Sequence, residues 1–209
     1  MTLNKDLEKA LNELRKGKKR KFDQTVDLII NLQKYDIKKH PLNLFINVPH
    51  KIKDKKIGAF LESKSPHIEA ISLNEFKKYG DKNALKKLVK KFDFFIAQAS
   101  IMPKVASTFG RVLGPAGKMP SPQMGIIMNA DEKIINDLKK RINNSIKFRL
   151  KESSIKLPIG KESMKNEDII ENIMAVYNNL LKNLPRDKEN LKNLEIKFTM
   201  TKPQKIYIK

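Results

Sequence analysis

Leu7, Leu11 and Leu14 recur at i, i+4 and i+7, which predicts one apolar helix face over residues 4–16, and Gly17 supplies a stop. A basic run, Lys16–Lys21 (Lys19 within it), leads into a different rhythm. Val26, Leu28, Ile30 and Leu32 alternate with Thr25, Asp27 and Asn31, the period of a half-buried strand. Pro41 opens a second alternation, Leu42, Leu44, Ile46 and Val48, which Pro49 closes. Residues 51–56 are polar and read as a linker.

Strand and helix signals then take turns. Ile57–Leu61 and Phe94–Ala97 read as short apolar strands, while 73–79, 85–92, 101–109 and 131–142 read as helices. That order predicts an α/β unit with a partly parallel sheet. The strand rhythm resumes with Ile146, Phe148 and Leu150 between Lys147, Arg149 and Lys151, followed by Ser154–Ile159. Asn166 is placed to cap a long helix, 167–184, which Pro185 ends. Leu194, Ile196, Phe198 and Met200 alternate once more, and Ile206 and Ile208 finish the pattern. The expected fold is therefore mixed α/β and α+β in two domains. Residues 1–54 and 153–209 form a discontinuous α+β domain I, and 55–152 form an inserted α/β domain II.

Composition narrows the chemistry. The 209 residues carry 44 Lys+Arg against 23 Asp+Glu, a formal charge of +21, and only six of the cations are arginines. Biased codon usage explains lysine in place of arginine, but not an excess of cations over anions. Nucleic acid offsets such self-repulsion, because each phosphate neutralised releases condensed counterions. There is no cysteine, which excludes thiolate catalysis and Cys-bound zinc, and the three histidines (His40, His50, His67) form no pattern. No apolar run approaches the ~18 residues of a membrane helix. The charged N-terminal stretch lacks the apolar core of a signal peptide, so an intracellular, soluble protein without metal or cofactor is expected.

Three segments are candidates for chemistry. In Gly110–Pro122, a phosphate-cradling loop would need glycine where Val112 stands and a hydroxyl residue where Met119 stands, so a nucleotide-binding enzyme in the middle domain is disfavoured. The segment is either a structural turn or a stiff loop that offers Arg111 and Lys118 to RNA. Lys21-Phe22-Asp23-Gln24-Thr25 joins a cation, a stacking ring and small polar groups suited to ribose and base edges, although Phe22 fits a core position equally well. Thr199-Met200-Thr201 matches it in kind, with Met200 again either core or contact surface. Glu167 and Asp168 pair carboxylates, but at a helix start, where they favour the macrodipole. No catalytic group can be argued.

The segments 19–26 (KRKFDQTV), 113–120 (LGPAGKMP) and 198–204 (FTMTKPQ), with Phe92-Asp93-Phe94-Phe95 between, resemble the L-one family of large-subunit ribosomal proteins in order and spacing. The resemblance implies a domain I from both chain ends and an inserted, Rossmann-like domain II that swings on linkers near 55 and 152. It implies binding to the mobile rRNA stalk beside the exit site, where the stalk assists release of deacylated tRNA, and so a monomer within a cytoplasmic ribosome. The protein's own mRNA is a further candidate partner, through repression of its translation. The family surface carries over to Lys21, Phe22, Gln24, Thr25, Asp27, Asn193, Thr199, Met200 and Thr201. Arg111 and Lys118 of the basic loop, together with Lys161, are further candidate RNA contacts. The family usually has glycine where Thr201 stands, so that side chain is expected either to fit a different RNA surface or to weaken the contact. A nonspecific RNA-binding or chaperone module is the rival expectation.

Overall fold

The computed structural model describes residues 2–206 except 19, 38, 41, 64, 67, 80, 130 and 151, and leaves the side chains at 2 and 82 undescribed. Expectations that fall on Lys19, Pro41, His67, Lys151 and Ile208 therefore lie outside the described residues. The chain divides into two compact units, one from residues 1–53 and 144–209, the other from residues 54–143.

The discontinuous unit is built on an antiparallel sheet in the order β10 (Gln204–Ile206), β9 (Leu191–Phe198), β1 (Thr25–Leu32), β8 (Ser154–Lys161). The alternation read from the sequence sends Val26, Leu28, Ile30, Leu194, Ile196 and Phe198 to one face, all at most 1% exposed. Two amphipathic helices, α1 (Thr2–Arg15) and α5 (Asn166–Asn183), add Leu7, Leu11, Ile169, Ile173, Val176 and Leu180 to that core. The opposite face carries Thr25, Asp27, Ile29 and Asn31 of β1 with Asn193, Glu195 and Lys197 of β9, none of them buried. Pro158 and Gly160 of β8 face consecutive residues of β1, so Ile159 is the extra residue of a bulge. The bulge resets the alternation and returns Lys161 to the open face beside Thr25.

A second antiparallel ribbon pairs β2 (Asn43–Asn47) with β7 (Ser145–Arg149) and adds Ile46, Ile146 and Phe148 to the same core. This pairing goes with a discontinuous unit that resumes at Asn144, whereas the expected division, with a linker near 152, falls after β7. The partner of β7 lies far upstream in sequence, and a strand's rhythm does not reveal what it pairs with. Lys165, not Asn166, occupies the N-cap of α5. The Asn166 amide is used elsewhere, accepting from Arg15 Nε at 2.7 Å and donating to Asn12 at 2.8 Å.

The continuous unit holds a parallel sheet in the order β4 (Glu69–Ser72), β3 (Ile57–Leu61), β5 (Phe94–Gln98), β6 (Ile126–Ile127). β3 is buried along its whole length, as parallel strands covered on both faces are. Helices α2 (Lys82–Lys91), α3 (Met102–Leu113) and α4 (Glu132–Asn143) complete the unit. One core contains an aromatic cluster in which the Phe109 ring lies 4.8 Å from Phe60 and 4.9 Å from Phe76. A Cβ at Gly58 would meet Phe92 and Phe95 at 3.1 Å, so glycine lets β3 sit against those rings. Residues 73–79 form a 3-10 helix rather than an α-helix, and β4 and β6 are too short to show a period.

Candidate RNA interface

The open end of the sheet is where the two candidate segments meet. Thr25 and Thr199 lie opposite each other: the Thr199 amide donates to the Thr25 carbonyl at 3.1 Å, and the Thr25 amide donates to the Thr199 hydroxyl at 3.0 Å. The Thr199 side chain thus continues the β1–β9 ladder past its last backbone pair. Phe22 and Met200 flank this end at 52% and 57% exposure, among the few large apolar side chains left in solvent. Lys21 is exposed as well, and Lys161 stands in register with Thr25.

Gln24 has a different position from the one its neighbours suggested. It is 2% exposed, donates to Glu162 Oε2 at 3.0 Å and accepts from the Met200 amide at 3.1 Å. Both ends of its amide are engaged inside the protein, so it builds the surface instead of contacting a ligand. The chain of contacts runs deeper. Arg15, at the end of α1, donates to the carbonyls of Glu162 and Met164 at 2.7 and 2.5 Å, holding the turn that carries Glu162. Asp23 accepts from the amide and hydroxyl of Ser163, both at 3.0 Å, and pins the segment bearing Phe22 to the same turn. Periodicity gave no sign of Arg15, Asp23, Glu162 or Ser163, because each partner sits more than 130 residues away in sequence.

Thr201 does not project from the surface. Its hydroxyl accepts from the Phe198 amide at 2.9 Å, and its own amide donates to the Phe198 carbonyl at 3.1 Å. The side chain closes the turn that lifts Met200. Thr201 is not among the positive-φ residues, so its backbone does not demand glycine.

Asp27 and Lys197 are cross-strand partners on the open face. Partial burial raises the Asp27 carboxyl above its ordinary value, and the Lys197 charge opposes that rise. Asn193 shares the face but not the site. It pairs with Asn31, whose amide donates to it at 2.7 Å. That pair lies six positions along β1 from Thr25, roughly 20 Å of strand.

The continuous unit accounts for two further candidates. Arg111 is exposed on the last turn of α3. Beyond it the chain closes the helix: Lys118 N donates to Leu113 O at 3.0 Å, Gly117 N donates to Gly114 O at 2.9 Å, and Gly117 takes φ +67°. These are the two bonds and the left-handed glycine of a Schellman cap, so half of the expected stiff loop is a helix end. Lys118 turns inward, and its ammonium donates to the carbonyls of Val89 and Phe92 at 2.7 Å each. Since it caps the C-terminal carbonyls of α2, it is withdrawn from any RNA contact by the bonds that place it.

The arrangement offers hydroxyls, cations and two exposed apolar side chains on braced turns. Among the described residues no group of His, Cys, Asp and Glu could hold a metal ion, and no helix is long and apolar enough to cross a membrane. A surface of this kind suits contact with a polyanion. The chain belongs to the Ribosomal protein L1p/L10e family, which matches residues 14–202. The large ribosomal subunit protein uL1 of Nanoarchaeum equitans is 36% identical over 200 residues, 91% of this chain and 94% of the relative. Those of Pyrobaculum islandicum and Archaeoglobus fulgidus are each 35% identical, covering 96% of this chain and 93% and 97% of the relatives. The chain is thus a ribosomal protein by family and not an enzyme.

Proposed function

We propose that the protein is a constituent of the large ribosomal subunit that holds the mobile rRNA stalk beside the tRNA exit site and assists release of deacylated tRNA. The discontinuous unit does the holding. Lys21, Phe22, Thr25, Asp27, Thr199, Met200 and Lys161 make the primary contacts, and Asn193 makes a distal one. The Rossmann-like unit swings on the two chain crossings, presenting Arg111. The same surface, offered a matching fold in its own mRNA, would repress translation.

One observation supports this above the rest: Phe22 and Met200 remain exposed although the turns beneath them are tied down by Asp23, Gln24 and Arg15. Apolar side chains held rigidly in water suit the sugar and base faces of a folded RNA, with the Thr hydroxyls bonding to ribose. The test is binding of the stalk fragment and an unrelated hairpin at two salt concentrations. Phe22→Ala and Met200→Ala should each weaken stalk binding ~5–100-fold with an unchanged salt slope, and Lys21→Ala should lower the slope by about 1. Unchanged affinity in both apolar variants would refute the site. Equal affinity for the hairpin would favour a nonspecific RNA-binding module.

A further inference from the structure

A cleft of about 190 Å³ opens where β7 hands over to β8, lined by Phe148, Arg149, Leu150, Glu152, Ser154, Ile155 and Lys156. Its apolar lining is Phe148, Leu150 and Ile155, which are 8%, 5% and 3% exposed. Its rim is polar and of mixed sign, with two cations, one carboxylate and one hydroxyl. We propose that this cleft binds one unpaired nucleotide of the RNA, its base against the apolar lining and its phosphate between Arg149 and Lys156. The proposal rests on the reading of the open sheet face as an RNA surface and adds a second point of contact at its edge.

Size, sign and position lead to that occupant. The volume falls below the roughly 300–1,000 Å³ of a small-molecule site, so it admits one ring system rather than a whole cofactor. A bare anion would gain from Arg149 and Lys156, but it would be repelled by Glu152 and would leave the apolar lining unused. A nucleotide satisfies all three. It carries an anion for the cations, a flat apolar face for Phe148 and Leu150, and amino or hydroxyl donors for the Glu152 carboxylate. The cleft is also continuous with the proposed RNA surface. Lys156 stands in register with Ile29, and Ser154 with Asn31, on the open side of β1. About 14 Å of strand separates the Ile29 row from the Thr25 end. An RNA element lying along the sheet therefore reaches both Met200 at one end and this cleft at the other.

The experiment records backbone amide NMR shifts of the full chain titrated with millimolar nucleoside 5′-monophosphates of the four bases, and with inorganic phosphate as comparison. At least one mononucleotide should shift Leu150, Ser154 and Ile155, phosphate alone should not, and R149A/K156A should abolish the response. The same double substitution should weaken stalk-fragment binding about tenfold and lower its salt slope by roughly 1–2. All three side chains on the charged rim are exposed, so these variants retain the fold. Absence of shifts, equal shifts with phosphate, or wild-type RNA affinity in the double variant would each overturn the proposal. Phe22→Ala and Met200→Ala separate the two readings. They lie outside the cleft and should leave the mononucleotide shifts intact, so if they also leave stalk affinity unchanged, it is the open-face reading that fails.

Discussion

Replacing Thr201 by valine keeps the side chain's shape and removes the hydroxyl that accepts from the Phe198 amide at 2.9 Å. Phe198 is 1% exposed, and its amide faces away from β1, where the Thr201 hydroxyl is its partner. One neutral hydrogen bond contributes about 1 kcal/mol, rising towards ~3 kcal/mol when the abandoned donor stays dry. Thr201→Val should therefore cost about 1–2 kcal/mol. Thr201→Gly removes the same acceptor and adds ~0.5–1 kcal/mol of unfolded-chain entropy, for a total near 2–3 kcal/mol. Thr201→Ser keeps the acceptor and should stay within about 0.5 kcal/mol of the parent. At roughly 2–4 °C per kcal/mol for a chain of this size, the glycine variant should melt ~4–12 °C lower. Thermal unfolding of the three variants by circular dichroism reads this directly. Valine and serine variants that melt together would refute the assignment. RNA binding gives a second readout: because the Thr201 side chain is turned back onto Phe198, removing it should not raise affinity, and a gain for the glycine variant would mean that the side chain does obstruct the RNA.

Two more outcomes follow from the geometry. The Asp27 carboxyl is raised in the folded state, so the folded protein holds that proton more readily than the unfolded chain does, and the stability this contributes is lost as pH rises. Asp27→Asn should consequently stabilise the protein at pH 7, by less than about 1 kcal/mol given its exposure. The difference should vanish below about pH 4 in urea titrations, and a gap that widens on acidification would reverse the sign. Lys118→Met keeps much of the aliphatic stem but removes both caps on the carbonyls of Val89 and Phe92, and should lower the stability of the continuous unit by ~1–2 kcal/mol. Stalk affinity should be unchanged; a loss of affinity without a loss of stability would restore Lys118 as an RNA contact.

Period carries information only about the face a residue shows. For that reason α1, β1, β5, α4 and α5 are legible within a few residues, each having a long or unbroken apolar rhythm. β4 and β6, with four and two residues, complete less than the pattern they would need. The extent of β7 is legible, but its membership is not, since only its pairing with β2 settles which unit owns it. The site divides along the same line. Phe22 and Met200 are each open in the sequence to a core or a surface position, and the structure leaves both in solvent. The inward turns of Gln24, Lys118 and Thr201 could not be read, because a polar side chain looks the same in sequence whether it faces water or a distant carbonyl. The resemblance carries Gln24 and Thr201 as contacts because motifs preserve a residue without recording which way it points, and Lys118 enters only as a cation of the Gly/Pro loop.

The line of contacts from Arg15 through Glu162 and Gln24 to the Met200 amide has a kinetic consequence. A loop that freezes only on meeting its ligand loses conformational freedom at that moment, and its complexes dissociate readily. Here that ordering is complete when the domain folds, before any RNA arrives. On the proposed RNA reading, long-range attraction by the surplus lysines governs how often the partners collide, whereas the braced Met200 turn governs how long they remain together. Loosening the brace, for example with Gln24→Ala, would shorten the residence time and leave the collision rate almost unchanged.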